Sequence, residues 1–344
     1  MSRRAFLAAA VAASAACRPD RRPRLNVFNW SSYVDPQTIE KFSAGYGVRV
    51  RYAVYESNEE MLAKVMTGNS GWDIVFPTHS RIAPMAAKGL LATLDHRRLP
   101  HLKELDPRFQ SPTWDRELRW CVPYMWNATG IAYNAKLAPA PTKWADLWSD
   151  RVRGRMTMLD DPEDVLGACL LKLGLPFDTL QEKDLLAAKR EAIALKHYQR
   201  AYLNAEVRDQ LVAGDIIAAQ LWSTSAEQAI HAQQASEPLR FTYPAEGFPV
   251  YCDNAVILAE SGRRELAHDF LDYLLRPEIA AANATVGETA TTNAGGRALL
   301  PQERRNSVTL YGTPEILERS VWPAASPPQV QRLKDRIWTE IKAA

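Results

Sequence analysis

Between residues 25 and 89 the chain alternates three times between a strand pattern and a helix pattern. That alternation confines it to an α/β fold whose sheet grows by crossover connections. Leu25 and Val27 lead into Trp30 and Tyr33, two aromatics set among polar residues. Asp35-Pro36 then supplies an N-cap and a first helical residue for residues 37–42. Residues 48–54 alternate with period two, as a half-buried strand should. Ser57 and Glu60 form a capping box that opens a helix with Met61, Leu62, Val65 and Met66 turned inward, closed by Gly68. Residues 72–77 read as a buried strand, Thr78 begins the loop at its carboxyl end, and a helix over 81–88 stops at Gly89. In open α/β folds ligands sit at the carboxyl ends of the strands, so Trp30 and Tyr33 stand where one would be met. The competing reading is that the two rings plug the strand end.

The first residues read as an export signal. Arg3 and Arg4 precede Phe6-Leu7, an Ala/Val-rich run extends to Ala16, and Cys17 follows. A run of about 12 apolar residues is too short to cross a hydrocarbon core of about 30 Å, which makes it a cleavable signal rather than a span. The adjacent arginines match the twin-arginine export pattern. Ala15-Ala16-Cys17 is similar to a bacterial lipoprotein cleavage site, with Ser14 where that pattern prefers Leu. The expected location is therefore periplasmic, or membrane-anchored by a lipidated Cys17, with residues 18–24 as a basic tether. With 344 residues, 47% of them hydrophobic, the chain can build two ordinary cores, and its net charge of +2 argues for no particular macromolecular partner. Cys121, Cys169 and Cys252 follow no metal-type spacing and read as small buried hydrophobes, with at most one disulfide among them.

Beyond Gly89 an irregular stretch with Pro100, Pro107 and Pro112 leads to strand patterns at 119–126 and 130–134. Further strands are expected at 155–159, 214–222, 239–243 and 251–258. Helices are expected at 144–148, from Asp161 to Gly174, at 184–196, from Ser223 through Ala235, at 264–275 and at 331–342. Catalytic signatures are missing: there is no G-x-S-x-G, H-E-x-x-H, Walker or dinucleotide-binding motif, and the six histidines are scattered. What recurs instead is an aromatic or a carboxylate at one strand end after another: Trp30 and Tyr33, Asp161 and Asp164, Trp222, then Tyr251 with Asp253. Aromatic faces attract cations by about 0.5–2 kcal/mol each, and buried carboxylates need a paired charge, so together they describe a pocket for an organic ammonium. Each has a plainer account: Asp161 and Asp164 fit a helix cap, and Trp222 fits a core. Asp253, between Tyr251-Cys252 and Val256, is the hardest to explain without a partner.

Taken with the segments Asn29-Trp30-Ser31-Ser32-Tyr33, Asp73-Ile74-Val75-Phe76-Pro77-Thr78, Pro123-Tyr124-Met125-Trp126-Asn127-Ala128-Thr129-Gly130-Ile131-Ala132-Tyr133-Asn134, Leu159-Asp160-Asp161-Pro162-Glu163-Asp164-Val165, Gly214-Asp215-Ile216 with Trp222, and Tyr251-Cys252-Asp253, the chain resembles the type II solute-binding receptors of polyamine ABC transporters. The resemblance runs from about residue 25 to the C-terminus. It implies an α/β fold of the two-lobed periplasmic-binding-protein type II class, each lobe a mixed sheet flanked by helices, with the ligand in the interlobe cleft. Residues 25–130 with 254–300 would form one lobe, 131–253 with 301–344 the other, and residues 1–24 the signal and tether. By the same resemblance Trp30 and Trp222 pack on the ligand's alkyl chain, Tyr251 lines the slot, and Asp161, Asp164 and Asp253 hold an ammonium. Ser31, Tyr33 and Thr78 take supporting polar roles. The implied function is capture of a polyamine or related organic cation by hinge closure and delivery to the membrane permease of an ABC transporter. The receptor would be a monomer with no cofactor, no metal, no nucleic-acid partner and no enzymatic activity.

The departures from the family pattern are Ser32, where relatives generally carry an acid, and Ser225, where the putrescine type has Asp. Glu288 or Thr289 also stands where a Tyr is expected after Val286-Gly287. They imply a ligand with one strongly recognised amine and a second end read through hydroxyls and water, or else a second charge supplied by Glu288. A sensor of the same fold, or an exported hydrolase, are the alternative functions.

Overall fold

The computed structural model describes residues 22–136, 138–204, 206–233 and 238–344. The export signal and Cys17 lie outside the described residues, as does the end of the helix expected to reach Ala235.

The first three strands and helices follow the sequence pattern closely. Strand β1 (Arg24–Trp30) is joined by helix α1 (Pro36–Tyr46) to β2 (Arg49–Tyr55), and by α2 (Asn58–Val65) to β3 (Ile74–Val75); α3 (Ile82–Ala87) follows. The Asp35 carboxylate accepts from the Gln37 N–H at 2.9 Å, and Gly47 ends α1 in the left-handed conformation that its φ of 63° requires. Both β2 and β3 lie parallel to β1. Two expectations differ locally. Met66 falls past the last turn of α2 and is exposed rather than inward. Only Ile74 and Val75 of the 72–77 run join the sheet, because Phe76 gives its carbonyl to side-chain donors.

The two strand patterns at 119–126 and 130–134 form one strand, β4 (Val122–Asn134), which runs unbroken through Pro123 and Gly130. Its first half pairs antiparallel with β9 (Phe248–Ile257), its second half with β7 (Ala218–Trp222) and β8 (Leu239–Thr242). In turn β9 continues from β4 to β3, so two long antiparallel strands cross the middle of the molecule. The sheet order is β2-β1-β3-β9-β4-β7-β5-β6, where β5 is Met156–Met158 and β6 is Ala201–Tyr202; β5 and β7 are parallel. The arrangement is mixed where the opening alternation alone would have made it parallel.

Helix α4 (Pro162–Lys172) leaves β5 through the Asp161 cap, and α5 (Glu182–Leu195) packs on it. Residues 144–147 make only a 3-10 turn. The stretch expected as a strand from 214 begins at Ala218, because Gly214, with φ of 76°, closes helix α6 (Val207–Ala213). Helix α7 (Ser223–Ala232) starts at the end of β7, α8 (Arg264–Leu274) is followed at once by α9 (Pro277–Gly287), and the terminal α10 (Pro328–Ala343) seals the far side. Pro277 therefore opens a helix as well as stopping one.

The core divides at the crossing strands. Val122 and Met125 pack with β1, α1 and α8, whereas Trp126, Ala128 and Ile131 pack with α4, α5 and α10. On β9 the same change falls between Cys252 and Ala255. This is the two-lobed type II arrangement, and the polar faces of β4 and β9 lie where the lobes meet.

Candidate ligand cleft

A strand turns alternate side chains to one face, so Tyr251 and Asp253 of β9 stand side by side. Across the ladder Asn127 of β4 lies opposite Tyr251, and Thr129 lies opposite Trp222 of β7. Four strand ends and the first loop supply the rest of the wall.

Asp253 is 4% exposed. One carboxylate oxygen accepts from the Thr78 hydroxyl at 2.8 Å and the other from the Tyr33 hydroxyl at 3.0 Å. Burial pushes its carboxyl up to about 7, against the pull of those two bonds. Both donors are held from behind. Asn58 bonds the Thr78 hydroxyl at 3.0 Å and accepts its N–H at 3.2 Å, while the Tyr124 hydroxyl donates to the Tyr33 carbonyl at 2.6 Å. Trp30 is anchored by its indole N–H on the Phe76 carbonyl, 2.8 Å away, with its ring 4.7 Å from Tyr55.

Asp164 belongs to a second group. Its carboxylate takes the Trp222 indole N–H and the Tyr251 hydroxyl, each at 3.0 Å, and Thr129 faces it from β4. Asp161 is the N-cap of α4, accepting the N–H groups of Glu163 and Asp164 at 2.8 and 3.0 Å. Capping thus accounts for Asp161 but not for Asp164, whose carboxylate turns to the two aromatics. Burial, and then the neighbouring Asp161, hold the Asp164 carboxyl well above the usual range; burial raises Asp161, and burial with Asp161 takes Glu163 to about 7. Among the described residues Asp161, Glu163, Asp164 and Asp253 enter no ion pair. Two cations bear on the α4 acids: Arg81 is bonded to Glu59 at 3.1 Å, and Lys334 donates to the Ser326 hydroxyl at 2.9 Å.

Among the described contacts, the remaining expected site residues bond none of these acids. Ser31 bonds Glu56 at 3.2 Å. Ser32 is exposed, in the left-handed region at φ 57°, and its carbonyl closes on Gly287. Ser225 lies half-buried in the first turn of α7. Glu288, also left-handed at φ 49°, is tied to Arg304 at 2.8 Å and His231 at 3.3 Å, so its charge is already met.

Two groups escaped the sequence reading. Asn127 and Thr129 are polar positions two apart in an otherwise apolar strand, and that interruption was the available signal. His79 is buried: its Nε2 bonds the Pro323 carbonyl at 2.9 Å, and its Nδ1 accepts the Cys252 N–H at 3.3 Å. Burial takes it down to about 4, which leaves a neutral ring tilted against Trp114 and edge-on to Trp322.

Comparison with known proteins places this geometry in a lineage. Residues 37–298 match the sequence profile described as bacterial extracellular solute-binding protein. The chain is similar to the spermidine/putrescine-binding periplasmic protein of Escherichia coli K12, with 31% identity over 89% of this chain and 88% of that one. It is likewise 31% identical to the putrescine-binding periplasmic protein SpuD of Pseudomonas aeruginosa UCBPP-PA14, over 93% and 92% of the two chains. Its fold superposes on the spermidine/putrescine ABC transporter substrate-binding protein PotD of Streptococcus pneumoniae with a TM-score of 0.83, 25% identity, and coverage of 93% and 99%. With more than half its length matched and its two lobes meeting at crossed strands, the chain belongs to the bacterial extracellular solute-binding protein family.

Proposed function

We propose that this protein is an extracytoplasmic receptor that captures a polyamine or related organic cation by hinge closure and hands it to the permease of an ABC transporter. The observation that carries the reading is the set of four acids without a paired cation among the described residues, Asp164 and Asp253 buried and Asp161 and Glu163 half-buried. Unpaired buried carboxylates such as Asp164 and Asp253 cost several kcal/mol when charged, and an ammonium ligand would remove that cost. Trp30, Trp222 and Tyr251 would flank its alkyl chain, with Tyr33 and Thr78 holding Asp253 in place. The relatives' names, spermidine- and putrescine-binding, support the same class of cargo.

In this reading residues 25–130 with 254–300 close against 131–253 with 301–344. The receptor works as a monomer without enzymatic activity, and it is exported by the twin-arginine route, either free in the periplasm or anchored to the membrane by a lipidated Cys17. Thermal unfolding of the mature chain with putrescine, spermidine, spermine, agmatine and a quaternary amine tests the central claim. A ligand at about 100 times its Kd stabilises by about 2.7 kcal/mol, a shift of at least a few degrees. No shift with any of these cations would sink the polyamine reading.

A further inference from the structure

The loop that carries Tyr33 is bent at Ser32, whose φ of 57° lies in the left-handed region that a residue other than glycine holds only where its surroundings fix it. Helix α9 is part of those surroundings. Asn283, fully buried in that helix, accepts the Asp35 N–H and the Thr38 hydroxyl on one side-chain oxygen, each at 3.0 Å. A backbone N–H can only donate, so the atom facing Asp35 is the amide oxygen and the orientation of the amide is settled. Its NH2 end is sealed from solvent and has no hydrogen-bond partner among the described residues. A buried donor left unpaired is costly, and Ile279, one turn earlier on α9, shares an apolar core with Val34 and Phe42. Packing alone would therefore favour an aliphatic side chain at 283, and what the amide adds is its oxygen. Asp35 stands two residues from Tyr33, whose carbonyl takes the Tyr124 hydroxyl at 2.6 Å and whose own hydroxyl donates to Asp253 at 3.0 Å. The Tyr33 backbone is thus tied directly by Tyr124 and, through Asp35, by Asn283.

We propose that Asn283 is a positioning residue for the ligand cleft, which by holding the Asp35 N–H keeps the Tyr33 hydroxyl on Asp253 and that acid aimed at the ligand's ammonium. The inference rests on the polyamine reading of the cleft. Asn283 has no exposed surface, so it acts through the loop backbone and not by touching the ligand. Released from it, residues 33–35 move off α9, the Tyr33 hydroxyl leaves Asp253, and the acid meets the cation with one donor fewer.

The test is a double-mutant cycle on the full mature chain, titrated by calorimetry with putrescine and with spermidine. Tyr33→Phe should weaken the tighter of the two by at least ~10-fold, the range of a hydrogen bond to a charged group. Asn283→Leu should weaken it about 5-fold in the wild-type background but less than about 2-fold once Tyr33→Phe is present, because the bond it protects is then gone. Both variants should also displace the pH profile of binding. The Tyr33 bond favours the charged form of Asp253, whose carboxyl lies at about 7, so its loss moves the rise of affinity to higher pH. A merely structural role predicts neither effect. Equal losses in both backgrounds, an unmoved pH profile, or unchanged affinity in either single variant would overturn the role of Asn283 and leave the polyamine reading standing. Binding of neither amine by the wild type would overturn both. Should Asn283→Leu not fold, Asn283→Ser is titrated in its place with the same expectations.

Discussion

Asp253 carries the most at the scale of single residues, because its two bonds come from groups that the chain fixes independently, Thr78 through Asn58 and Tyr33 through Tyr124. Asp253→Asn keeps the shape and removes the charge, and we expect ligand affinity to fall more than ~10-fold by calorimetry, since a buried ammonium then loses its counter-ion. Unchanged affinity would make Asp253 structural. Its titration gives a further expectation. The folded carboxyl, near 7, lies above the ordinary value of about 3.9 that it regains on unfolding. The folded state therefore holds the extra proton, and this group's stabilisation is full below about pH 4 and is lost as pH rises through about 7. Glu163, also near 7, acts in the same direction. The ligand-free protein should lose stability over that window, whereas affinity for a cation should rise across it, and titrations in buffers of different ionisation enthalpy should detect protons released on binding. Buffer-independent heats near pH 6 would contradict the assignment.

Elements place these residues, and here the sequence was readable in part. The opening alternation of β1, α1, β2 and α2 followed from periodicity and from the Asp35 and Ser57 caps, because those signals are local. The passage of β4 through Pro123 and Gly130 was hidden: both residues normally punctuate a strand, and only the partners on either side, β9 and then β7 and β8, override that tendency. The same applies to the site. Trp30, Tyr33, Asp164, Trp222, Tyr251 and Asp253 were visible as strand-end aromatics and acids, but Asn127 acquires meaning only from its register with Tyr251. The contact between α9 and the first loop is likewise legible only in three dimensions. A Cβ on Gly287 would meet the Ser32 carbonyl at 2.9 Å. Gly287→Ala should therefore push the 31–33 loop outward, lower stability by about 1–3 kcal/mol in chemical denaturation, and weaken ligand binding through Tyr33. Unaltered affinity in a destabilised variant would separate that loop from the site.

Across the whole molecule, α7 also touches the segment around residue 288, away from the acids. Gln228 of α7 donates to the Gly287 carbonyl at 3.0 Å, and the Thr224 and Thr289 hydroxyls meet at 2.9 Å. If ligand capture proceeds by hinge closure, adding ligand should reduce the radius of gyration measured by small-angle X-ray scattering, and a radius indifferent to saturating ligand would argue against it. The crossing strands have a different consequence, one for how the molecule comes apart. Because β4 and β9 each lie in both halves of the core, melting either half pulls a central strand from the other. No single cut of the chain releases an intact half, so fragments designed as separate lobes should not fold. The heat-capacity trace of the intact protein should show one cooperative peak, which a ligand bound at the seam moves as a whole.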